Sequence, residues 1–133
     1  MSAPWQAVAA VAWAIAGPPL IIYGATRIRS GQALRHAGLM TTWVVLEILV
    51  MLAFGSLITP TPRRMELAAL PFFKIHLAFA IGTLVGIAWQ LLSRTIVSWR
   101  PWHSRTGPYV VLVWCLALLT GIYNFVFLYV FAP

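Results

Sequence analysis

Three histidines and one carboxylate are the groups in this chain whose chemistry goes beyond packing: His36, His76, His103 and Glu47. A neutral imidazole nitrogen is the usual protein donor to haem iron, copper and zinc. A carboxylate inside an apolar stretch is costly to keep charged, so it marks a proton-relay site, a ligand site or a partnered structural group. Glu47 lies in such a stretch, 42–57, and only Glu66 accompanies it as an acidic residue. There is no aspartate, no Ser-His-Asp set and no phosphate-cradling glycine loop, so the chain is read as a non-enzyme. The lone cysteine, Cys115, excludes an internal disulfide and a multi-cysteine metal site.

The elements that carry these residues follow from composition. Hydrophobic residues make up 62% of the 133 positions and charged residues 8%, with a mean hydropathy of +0.90. Four segments, about 5–26, 38–59, 71–92 and 108–131, are each long enough to cross a ~30 Å hydrocarbon core as a helix. The fold class expected is therefore all-α, a single integral-membrane four-helix bundle. The first stretch lacks a basic leading region and a small-residue cleavage site, and is read as a retained helix.

The net charge of +7 does not point to nucleic acid, because the arginines lie in the connections. Arg27, Arg29, Arg35, Arg94, Arg100 and Arg105 occupy the first and third loops. Arg63, Arg64 and Lys74, partly offset by Glu66, lie on the opposite side. Positive residues favour the cytoplasmic side, which places both termini outside in a bacterial or archaeal inner membrane.

Gly17-Pro18-Pro19 predicts a kink in the first helix. The run Thr59-Pro60-Thr61-Pro62 ends the second, and Pro71 suits the first turn of the third. The third loop, 93–107, carries Trp99 and Trp102 at headgroup level. Gly82 and Gly86 form a small-residue spacing that lets another helix approach closely.

At ~100° per residue, His36, Met40, Trp43, Glu47, Met51 and Phe54 share one stripe of the second helix, provided that helix begins before Gly38. His76, Thr83 and Gln90 share a stripe of the third, and Ala117, Thr120, Gly121 and Asn124 a stripe of the fourth. Thr83, Gln90, Thr120 and Asn124 are expected to make interhelical hydrogen bonds and close contacts. Glu47 is expected to be protonated and bonded to a hydroxyl or carbonyl, slightly nearer the cytoplasmic side. Cys115 falls on the face opposite Asn124.

Depth divides the histidines. His36 and His103 both fall at the cytoplasmic boundary, ahead of helices 2 and 4. His76 lies near the outer side, so roughly 20 Å or more separates it from His36. One ion cannot hold all three. The candidate cofactor site is the His36/His103 pair, for haem or copper, with His76 as a separate outer position. A headgroup contact beside Arg35 or Arg105 is the plainer role for the same two residues.

The order of these features resembles the small four-helix CtaM-like (YozB-like) membrane proteins. The run Tyr23-Gly24 through Arg29, then Arg35-His36-Ala37-Gly38-Leu39-Met40, carries the resemblance. So do Phe72-Phe73-Lys74-Ile75-His76-Leu77, His103-Ser104-Arg105, and Trp114 with Thr120-Gly121 and Tyr123. The resemblance implies a respiratory-chain protein that assists maturation of haem–copper oxidases, with integral membrane partners. It also implies an outer histidine near the end of helix 2, where this chain reads Gly55-Ser56-Leu57-Ile58-Thr59. Two other functions remain open: a haem- or quinone-binding electron-transfer subunit, and a purely structural accessory subunit recruited through Gly82/Gly86 and aromatic helix surfaces.

Overall fold

The computed structural model describes residues 3–55, 68–69 and 71–131. Four long helices dominate: α1 Trp5–Thr26, α2 Ala33–Gly55, α3 Pro71–Thr95 and α4 Arg100–Val126. A 3₁₀ turn, Val97–Trp99, joins α3 to α4, and a π-helical turn, Phe127–Phe131, extends α4. All four are long and apolar enough to cross a membrane, and no strand occurs among the described residues. The expected end of the second helix at Thr59, the charges Arg63, Arg64 and Glu66, and the histidine-free run at 56–59 lie outside the described residues.

Two expectations change. Helix 2 begins at Ala33, well before Gly38, because Gly31 supplies the positive φ (73°) that turns the chain back from α1. Helix 4 begins at Arg100 and not at Pro108, so most of the expected third loop is helical. Pro101 favours this early start, since its missing N–H falls in the first turn, where a helix has no use for it. Pro18 and Pro19, where a kink is expected, lie inside α1, which runs as one helix from Trp5 to Thr26.

The central pair is α1 with α4; α2 lies against α1, and α3 lies against α4. Small residues set the close approaches. A methyl group at Gly86 would sit 2.9 Å from a Val110 methyl, and one at Gly82 would sit 3.2 Å from Val113. The Gly82/Gly86 face is thus occupied within the chain, by α4. Gly17 admits Leu118 in the same way between α1 and α4. The core is Ala14, Ile21, Ile87, Trp114 and Leu118, with Trp13, Met40, Trp43 and Val44 packed against it. Apolar side chains such as Ile15, Leu52, Val85 and Leu112 face outward, as contact with lipid requires.

Candidate functional site

The early helix starts decide the histidine geometry. His36 and His103 are each the fourth residue of their helix, α2 and α4, and do not precede the helices as the sequence reading expected. Their rings lie edge-on to one another, with centroids 6.5 Å apart and planes at 84°. The pair that shared a depth in sequence is therefore brought into contact.

Each ring is fixed from behind by a different helix. His36 Nδ1 lies 2.9 Å from the Gly24 carbonyl on α1. His103 Nδ1 lies 3.1 Å from the Gln90 carbonyl on α3. A carbonyl only accepts, so at His36 it calls for a hydrogen on Nδ1 and leaves the lone pair on Nε2. This is the arrangement by which a backbone carbonyl orients a metal-binding imidazole. For His103 there is a second neighbour: the Gln90 side-chain amide lies 2.9 Å from the same nitrogen. The orientation of that amide and the tautomer of His103 are therefore coupled.

Around His103 the support continues into a hydroxyl relay. Thr106 Oγ1 donates to the Trp102 carbonyl at 2.7 Å, and Trp89 Nε1 donates to Thr106 Oγ1 at 3.0 Å. The Gln90 amide reaches the same hydroxyl at 2.8 Å. Trp89 in turn stacks on Trp99, with centroids 5.4 Å apart. Gly24 is equally constrained. A Cβ there would meet Met40 Sδ and Trp43 Nε1, each at 3.2 Å, so the bare backbone lets α2 come close enough for His36 to reach the carbonyl.

His76 is elsewhere. From His103 to Thr120, α4 rises roughly 25 Å, and His76 Nδ1 bonds at the far level, 3.1 Å from the Ala117 carbonyl and 3.0 Å from Thr120 Oγ1. Gly121 makes room for this ring. His76 bolts α3 to α4, as an interhelical contact of the expected kind. Its separation from the inner pair holds.

Glu47 is buried, but its partners differ from those expected. Trp13 Nε1 donates to Glu47 Oε2 at 2.6 Å, and Trp114 Nε1 donates to the same oxygen at 2.9 Å. Both neighbours of Oε2 are indole donors, in place of the hydroxyl or carbonyl partner expected from the sequence. The carboxylate ties α1, α2 and α4 together at the level of Trp114. That level is nearer the His76 layer than the His36/His103 layer, contrary to the depth assigned from sequence. Sequence reasoning missed Trp13 and Trp114, although a signal existed. Tryptophan favours the membrane interfaces, and both of these lie mid-span, where an indole N–H needs an acceptor.

The remaining polar residues divide. Gln90 bridges α3 to α4 as expected. Thr83 is buried but bonds within its own helix, to the Phe79 carbonyl at 2.9 Å. Asn124 is 6% exposed, and among the described residues neither end of its amide has a hydrogen-bond partner. Cys115 is a half-buried free thiol.

No third histidine, cysteine or acidic residue joins His36 and His103 among the described residues. The described residues thus offer two imidazoles to a ligand. No family model, curated protein or solved structure matches this chain.

Proposed function

We propose that this chain is a non-enzymatic inner-membrane protein of the respiratory chain, resembling an oxidase assembly factor, that takes up haem or copper through His36 and His103. The arginine bias orients the pair toward the cytoplasm and both termini toward the outside. The observation that carries the reading is the close approach of the two rings. Two imidazoles bound on opposite sides of one metal ion, at ~2.0 Å per bond, have centres roughly 6 Å apart. The 6.5 Å seen between these rings is close to that spacing without a ligand to impose it. Carbonyls on α1 and α3 hold the rings, so the pair is preorganised by all four helices.

Two ligands and a site at helix ends suit transfer better than permanent storage. A metal held by a full protein ligand set leaves slowly, whereas an ion or haem iron held by two imidazoles is open to a partner's ligands. The partner would be an integral membrane protein, and the apolar outer surface of the helices would meet it within the bilayer.

A structural accessory role has its own support. His36, His76 and His103 all place Nδ1 against a backbone carbonyl of another helix, which ties the bundle with no ligand present. Recruitment through Gly82/Gly86 is not part of that reading, because α4 fills that face.

The two readings separate in one experiment. The full chain, purified in mild detergent, is titrated with haem and with Cu(I), alongside His36→Ala and His103→Ala. The proposal expects low-spin haem absorbance or stoichiometric Cu(I) binding that either substitution abolishes. Binding that survives both substitutions, or no binding of either ligand, overturns it.

A further inference from the structure

The charge around the His36/His103 pair is of one sign. Each of the four residues that build the pair has an arginine within about one helical turn, toward the connecting loops. Arg27 follows Gly24 on α1, Arg35 precedes His36 on α2, Arg94 follows Gln90 on α3, and Arg100 precedes His103 on α4. At ~1.5 Å of rise per residue, these guanidinium groups start within roughly 6 Å of the level of the rings, and their side chains extend further. Arg29 and Arg105 add to the same end of the bundle.

Among the described residues no carboxylate offsets them there. Of the chain's two acidic side chains, Glu47 lies in the span bonded to two indoles, and Glu66 falls between α2 and α3 in the sequence, outside the described residues. The arginines use what neutral partners they have. The Arg27 guanidinium lies 4.3 Å from the Tyr23 ring centre, and its Nε is buried without a hydrogen-bond partner among the described residues. Arg105 lies over Trp102, and Arg35 makes a long 3.4 Å bond to Gln32.

This field discriminates between the ligands that two imidazoles accept. A bare copper ion is a cation and is repelled by a ring of arginines. Haem is an iron porphyrin with two carboxylates at one edge, net negative whether ferrous or ferric, and apolar over most of its area. Its macrocycle suits the lipid-depth side of the imidazoles, and its carboxylates suit guanidinium groups at the headgroup level.

Resting on the two-histidine reading above, we propose that the ligand of the His36/His103 site is an anionic tetrapyrrole, haem with free carboxylates, held by the imidazoles at iron and by Arg27, Arg35, Arg94 and Arg100 at its carboxylate edge. Copper is not the cargo. The arginines that orient the chain in its membrane also select the sign of what it binds.

The test uses full-length protein in detergent micelles without charged lipid. Haemin, haemin dimethyl ester and Cu(I) are titrated into the native chain, into His36→Ala/His103→Ala, and into a chain carrying Arg27→Gln, Arg35→Gln, Arg94→Gln and Arg100→Gln. The arginine side chains lie at the surface or only half-buried, so this variant is expected to fold, and a native circular dichroism spectrum checks it.

The expected result is haemin binding tenfold or more tighter than the ester, with the preference lost in the arginine variant. The haemin affinity also falls as salt is raised, while that of the ester does not. Equal affinity for acid and ester in the native chain overturns the inference and leaves the arginines to lipid phosphates. Tight Cu(I) binding without haem binding overturns it while keeping the two-histidine site. Haemin binding that needs the arginines but survives loss of both histidines overturns both readings.

Discussion

Gly86→Ala tests the packing that positions His76, Gln90 and, through Gln90, His103. A Cβ at Gly86 would lie 2.9 and 3.0 Å from the two Val110 methyl groups. Ordinary carbon contacts lie near 3.5–4.0 Å, so α3 and α4 must separate locally by about half an ångström or Val110 must leave its rotamer. Overpacking of this size costs about 1–3 kcal/mol. A glycine-to-alanine change also brings a helix-propensity gain of up to about 1 kcal/mol. Gly38→Ala measures that gain separately, since nothing lies within 4 Å of a Cβ there. The difference between the two variants isolates the steric cost, about 1–3 kcal/mol. The assay is equilibrium unfolding in mixed micelles of mild and denaturing detergent, followed by tryptophan fluorescence. Adding Val110→Ala to Gly86→Ala removes the opposing methyl groups and is expected to recover about 1 kcal/mol beyond additivity. Equal stabilities for Gly86→Ala and Gly38→Ala, or no recovery on truncating Val110, would refute the close α3–α4 approach.

Other substitutions probe the remaining layers. Glu47→Leu removes the acceptor of two indole N–H groups, and at about 0.6–1.7 kcal/mol per membrane hydrogen bond it is expected to cost about 1–3 kcal/mol. Glu47→Gln keeps an acceptor oxygen and is expected to cost less than half of that; equal losses in the same unfolding assay would argue against the indole contacts. Asn124→Leu exchanges a buried amide that has no hydrogen-bond partner among the described residues for an apolar side chain of similar size, and is expected to stabilise by about 1 kcal/mol or more. A loss of stability there would show that Asn124 has a bonding partner. Gly24→Ala pushes Met40 and Trp43 away from α1 and loosens the carbonyl that orients His36; haem affinity is expected to fall tenfold or more with Glu47-level stability little changed. Unaltered affinity in that variant would separate the carbonyl from ligand binding.

Much of the architecture was legible because its physics is local. Four apolar runs of the right length, prolines at their ends and arginines between them lead to four helices and to the grouping of the histidines by depth. The helix starts were less legible. Ala33 and Arg100 lie in polar stretches that hydropathy assigns to loops, yet their backbone continues the helix because Gly31 and Pro101 set its beginning. That extension moves His36 and His103 onto helical faces, and only then do the two rings meet. The small-residue spacing at Gly82 and Gly86 was legible as a contact, but its occupant was not. A stripe on one helix does not reveal which neighbour fills it, and here α4 does so within the chain.

Composition alone determined the all-helical, membrane-compatible class of this protein, the charge at one end of it and the small set of residues with chemistry to offer. Those properties depend on summed transfer energies and on rise per residue, which need no knowledge of neighbours. Tertiary structure decided what each of those residues touches. It gave Glu47 two indoles in place of a hydroxyl, left Asn124 without a partner among the described residues, and set His36 against His103 with a carbonyl behind each. Hydrogen bonds of this kind require specific atoms to within a few tenths of an ångström, and that precision comes only from how α1 and α4 pack and what they hold beside them.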